Sequence, residues 1–322
     1  VTLAADEPRG GQQNEPTRDT RGEWKRAVAL FLVVVSISPV PSTVLVGVPF
    51  VLLMLMLPAR RLGGLAFAAL VAFVVTAGSE GMGGLWYMER GWAVLVGGWF
   101  VAATLRWPDH SLTARSMRAV GGAAFTALAY FLTQPGSWGV LDFAVGERMR
   151  FSVDTTLEAL RLLQGGENLA PALVQAVVAT SEWQHALFPG LLGLASLAAL
   201  GLAWWMYTRA GLGQRGALAP LTEFRFNDHY VWVFIGGLLL IVSGSGETLT
   251  RTGSNAVVFM GGLYALRGMA VVLFVNGGLT IFSAILTALA LLFLAPVLVT
   301  GAVLIGLGDT WLDVRSRVAR ST

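Results

Sequence analysis

A single arginine, Arg267 in YALRGMAVVLF, interrupts an apolar run from Asn255 to Gly308 that carries no other charge. A charge at such a position costs about 2.5–3.5 kcal/mol on insertion scales and normally faces a partner or a wet cavity. Glu247, Asp309 and Asp313 are the acids considered as partners. Two readings stay open: a binding or coupling residue in a polar pocket, or a structural ion pair, with snorkelling toward the cytoplasmic face as its variant.

Other chemistry-bearing residues lie at the ends of apolar blocks. Glu80, Glu89 and Arg90 flank the glycine-rich GSEGMGGLWYMER, where a ligand-gating role competes with interface anchoring by Trp86 and Tyr87. Asp309, Asp313 and Arg315 close the chain in GLGDTWLDVRSR. Four residues apart on a helix, the two aspartates share a face and can hold a cation, or simply solvate a helix end. Asp228-His229 in FRFNDHYVW marks a helix start where Asn227 or Asp228 can cap open N–H groups.

Several chemistries are excluded or disfavoured. Without cysteine there is no disulfide, thiolate metal site or cysteine nucleophile, and three scattered histidines do not suggest a metal centre. GxxxxGK[ST], HExxH and a Ser–His–Asp order are absent, so neither an enzyme nor a cofactor is expected. The net charge of +3 comes almost wholly from arginines, Lys25 being the only lysine. These arginines cluster between apolar blocks, which points to topology rather than nucleic acid.

The elements that must position these residues are membrane helices. Hydrophobic residues make up 55% of the chain and charged ones 13%, with a mean hydropathy of +0.67. Runs such as VLLMLML are apolar on every side, unlike the alternating strands of a membrane barrel. The fold class is therefore an all-α polytopic transmembrane bundle in a lipid bilayer. Its blocks are drawn at 27–38, 43–57, 62–76, 91–105, 117–133, 183–207, 229–243, 255–275, 278–294 and 297–308.

Prolines in SISPVPS and LAPVL leave a turn or a kink open at the first and last pairs of blocks. Ala27–Leu57 as one helix would measure about 46 Å, too long for one crossing, so two short helices are expected there. The total is about eight to ten spans. Arginine-rich segments then fall on one side, which places both termini in the cytoplasm.

Five regions follow: a disordered polar tail over 1–26, N-terminal membrane helices over 27–133, an outer helical segment over 134–182, C-terminal membrane helices over 183–308 and a basic tail over 309–322. In the outer segment Met149, Val153, Leu157, Leu160 and Leu163 recur at helical spacing among charged residues, which predicts an amphipathic helix. A second helix over ENLAPALVQAVVAT follows a turn at Gly165-Gly166.

The C-terminal third resembles the YybS-like family of uncharacterised bacterial multi-pass membrane proteins. The resemblance rests on Phe224 and Phe226 at an aromatic helix start, on Asn255 opening a helix, on Arg267-Gly268, and on Gly306, Asp309, Asp313 and Arg315 at the close. Glutamine is frequent in the family where Arg267 stands, and Asn227-Asp228 replaces a proline. The resemblance implies a multi-pass inner-membrane protein and adds Asn255 to the candidate small-molecule-binding residues Arg267, Glu80, Glu89 and Arg90. In span pattern the family is also similar to the substrate-binding subunits of energy-coupling-factor vitamin transporters, a fold-level analogy.

Three functions follow in order. The first is a small-molecule-binding or transport subunit, which would need partners for energy. The second is a non-catalytic scaffold or assembly subunit that holds protein partners. The third is a membrane enzyme acting on lipid-linked substrates at Asp309, Asp313 and Arg315.

Overall fold

The computed structural model describes residues 20–57, 62–76, 83–164, 169–211, 220–244, 246–278 and 281–321. Among them every regular element is helical: α1 (Thr20–Ile37), α2 (Ser42–Met56), α3 (Leu62–Thr76), α4 (Gly84–Arg106), α5 (Leu112–Thr133), α6 (Ser137–Leu163), α7 (Pro171–Ala186), α8 (Phe188–Gly211), α9 (Val231–Val242), α10 (Glu247–Val275), α11 (Ile281–Leu312) and α12 (Val314–Ser321). Three of these stretches are long and apolar enough to cross a membrane: Phe188–Ala210, Glu247–Val275 and Phe293–Leu312. Ser42–Met56 and Asp228–Val242 are shorter apolar helices.

The core forms where α2, α4 and α8 meet. Leu45, Phe50, Leu53, Val96, Phe100 and Leu200 are fully buried there. A second cluster gathers Met117, Val231, Met260, Leu263 and Tyr264 around α10. Glycines let the helices approach. A Cβ on Gly268 of α10 would stand 1.8 Å from the Ala302 carbonyl oxygen of α11, and one on Gly306 would stand 2.0 Å from the Tyr264 oxygen. Only glycine fits such a backbone contact.

The boundaries differ from expectation in several places; α4 begins at Gly84 rather than at 91, so Glu89 and Arg90 lie on it. The tail expected over 1–26 is helical from Thr20, because no proline intervenes and Ala27 is packed in the core, which holds the turn before it; residues 1–19 lie outside the described residues. Block 183–207 divides, with α7 ending at Ala186 and α8 starting at Phe188.

LAPVL is a kink inside α11, not a turn between two helices. Pro296 lacks the N–H needed by the preceding turn, and Leu294 leaves helical geometry at φ −121°, ψ 20°. Finally, Asn255 does not open a helix but lies well inside α10. The hydroxyls of Thr252 and Ser254 bond back to Thr248 and Thr250, and Gly253 packs on the Gly237 oxygen, so ETLTRTGSN stays helical rather than forming an outer loop.

The SISPVPS break does separate α1 from α2, as two short helices require. Residues 134–182 carry α6 and most of α7, the two helices expected there; the Gly165-Gly166 turn lies outside the described residues.

Candidate functional site

Arg267 is 2% exposed and is held by the Gly268–Gly306 approach within reach of the end of α11. Its Nε donates to Asp309 Oδ2 at 2.9 Å and its Nη2 to the Asp309 carbonyl at 3.2 Å. Its Nη1 donates to Asp228 Oδ1 at 2.5 Å. The guanidinium also lies 5.6 Å from the centre of the Phe226 ring, which in turn meets Tyr264 edge-on.

Asp309 is the hub of this cluster, with a side chain 0% exposed. Its Oδ2 accepts a second guanidinium, Nη2 of Arg315 at 3.1 Å, and its Oδ1 accepts the Val314 amide at 3.2 Å. Arg315 Nη1 continues to the carbonyls of Thr222 and Phe224. Asp313, at the joint between α11 and α12 with φ 40°, pairs with Arg225. Asparagine and aspartate tolerate this left-handed conformation better than most residues.

Of the acids considered, Asp309 is therefore the partner of Arg267. Glu247 lies twenty residues away on the same helix, about 30 Å along its axis. Asp228 supplies the other contact, a role its sequence position did not reveal, while Asn227 caps the His229 amide at 3.0 Å. Both Asp309 and Asp313 face arginines, so the pair does not present two open carboxylates to a cation. Among the described residues no group of three or more His, Asp or Glu is placed to hold a metal.

The remaining candidates do not converge on Arg267. Glu89, 6% exposed, pairs with Arg148 of α6. Arg90 covers the Trp86 ring at 3.7 Å and donates to the Trp86 carbonyl. Asn255 donates to the Ala186 carbonyl at 2.9 Å and accepts the Gly190 amide at 2.8 Å, joining α10 to the start of α8. Glu80 lies outside the described residues.

A second polar cluster escaped the sequence reading. Arg251, one turn before Asn255, grips both oxygens of Asp142 on α6 at 2.5 and 3.1 Å and donates to the carbonyls of His185 and Ala186. His185 Nε2 stands 3.2 Å from the same carboxylate. The Arg251 hydrogen bond holds the Asp142 carboxyl below the usual carboxylate range, against a smaller opposing effect of burial, with the charges of Arg251 and His185 adding to the depression. The sequence signal was Arg251 and Asn255 on one helical face; a partner 109 residues away could not be read from it.

Arg267 and Asp309 use their polar atoms on the protein itself, so this arrangement locks helices together. No family model, curated protein or solved structure matches the chain.

Proposed function

We propose that the chain is a non-catalytic assembly subunit of a membrane complex, presenting the α6–α7 arm to a protein partner. One observation carries this reading. Of the 27 residues of α6 only Val145 and Gly146 are buried, yet the helix is pinned to the bundle by Glu89–Arg148 and Asp142–Arg251. A helix that adds little to the core but is held in a fixed orientation is suited to displaying a surface. Its outer face carries Phe143, Phe151 and Leu162, 66%, 73% and 74% exposed.

The wider setting belongs to the same proposal: about eight to ten spans in a bacterial inner membrane, with both termini cytoplasmic. The arginine distribution supports the orientation, and the C-terminal residues quoted above support a place in the YybS-like family.

Small-molecule binding is the second reading, favoured by a groove of about 350 Å³ between α6 and α7, lined by Met149, Ser152, Val153, Thr156, Val177 and Gln184 among others. That volume is in the usual range of ligand pockets.

Native mass spectrometry of gently extracted protein separates the two. A stoichiometric protein partner, retained by the wild type and lost in Phe143→Asp/Phe151→Asp, is the expected result. A small molecule lost in Val153→Trp, with no protein partner, would replace the assembly reading with the second.

A further inference from the structure

Where α4 turns into α5, positive charge is buried without a counter-charge. Arg115, in the first turn of α5, is 7% exposed, and its Nε is buried with no hydrogen-bond partner. Arg118, three residues on, has its Nη1 buried in the same condition. Neither side chain makes an ion pair among the described residues. This contrasts with Arg267, Arg251 and Arg148, each of which meets a carboxylate.

What surrounds these two arginines is aromatic. Arg115 lies over Trp204 at 4.7 Å and Arg118 over Trp107 at 4.6 Å, with Arg106 approaching the Trp107 ring at 5.5 Å. Ring faces orient a guanidinium but do not neutralise it. The first amides of α5 point toward the same end of the helix, where Ser111 accepts only that of Ala114 as a side-chain cap. Asp109 is the one acid in the connecting turn and forms no ion pair among the described residues. The connections that follow α2 and α8, residues 58–61 and 212–219, contain no carboxylate in sequence.

Burying a cation without a partner is costly, and the missing component is an anion with several acceptor oxygens. We propose that Arg115 and Arg118, with Arg106 at the rim, form a binding site for a phosphate group, carried by the headgroup of an anionic phospholipid. Apolar surface beside the site favours the lipid source over free phosphate: Leu105 is 61% exposed and Trp107 37%. Basic pockets beside membrane helices commonly receive such headgroups.

The test uses the full chain in detergent, with phosphatidylglycerol and phosphatidylcholine of identical acyl chains and, separately, inorganic phosphate. Phosphatidylglycerol is expected to remain bound in native mass spectra and to raise Tm, while phosphatidylcholine does neither. Arg115→Gln/Arg118→Gln should weaken phosphatidylglycerol binding about tenfold, and Arg161→Gln, exposed on α6, should leave it unchanged. Protection by inorganic phosphate alone, with displacement of the lipid, would keep the anion site and overturn the lipid source. Equal effects of the two lipids on the wild type would overturn the proposal, whether or not the double variant folds.

Discussion

Gly268 on α10 and Gly306 on α11 meet so closely that a methyl group on either would fall within 2.0 Å of the other helix's backbone oxygen. This contact places Arg267, the neighbour of Gly268, opposite Asp309, three residues beyond Gly306. The ion pair and the glycine crossing are thus one device, in which close approach brings the charges together and the charges hold the approach.

The first expectation concerns that crossing. Gly306→Ala should destabilise the bundle by at least about 1–3 kcal/mol, the usual range for overpacking, because the obstructing atoms are backbone. Gly301→Ala, with open space around its Cβ position, is the control and should have little effect. Thermal unfolding in a fixed detergent reads the difference; equal Tm values would exclude so close a crossing.

The α6 brace should respond to acid. Since the Asp142 carboxyl is depressed in the folded protein, chiefly by the Arg251 hydrogen bond, its stabilising contribution is complete above the unfolded value of about 4 and is lost as pH falls through the lower folded value. Hydrogen exchange in α6 should therefore accelerate relative to α8 on acidification below about pH 4. Glu89–Arg148 braces the same helix, so Asp142→Asn provides the comparison. It should exchange faster at neutral pH and lose part of the acid response. A wild-type response retained in full by Asp142→Asn would assign the effect to another group.

Asn255 ties α10 to the start of α8 through Gly190 and Ala186. Asn255→Leu leaves the buried Gly190 amide without its partner, while the Ala186 carbonyl keeps Arg251, and should cost about 1–3 kcal/mol. Thermal unfolding would again measure it. Loss of a bound small molecule at unchanged Tm would instead mark Asn255 as a binding residue.

The helical class was legible because apolar residues cover every side of segments such as VLLMLML, and the α6 pattern was legible from Met149, Val153 and Leu157. The start of α10 was not. Thr252 and Ser254 look like loop residues until their hydroxyls are seen returning to the helix backbone. Arg267 could be singled out as a lone charge, and Asp309 as one of three candidate partners. Asp228 was obscured by its position beside a cap, and Asp142–Arg251 by 109 residues of separation. Local chemistry announces itself in sequence; pairings made by helix crossings do not.

The direct test of a locking role for Arg267 is a double-mutant cycle of Arg267→Met and Asp309→Leu, with Tm and retained partners measured together. Each single change breaks the buried Arg267–Asp309 pair while Arg315 stays on Asp309 or Asp228 on Arg267, and should cost about 1–3 kcal/mol, whereas the double variant should cost less than the sum of the two and keep its protein partner. A double variant as stable as the wild type that loses a bound small molecule, or loses cellular function with its partner still attached, would contradict the locking role and make Arg267 a ligand-contacting residue.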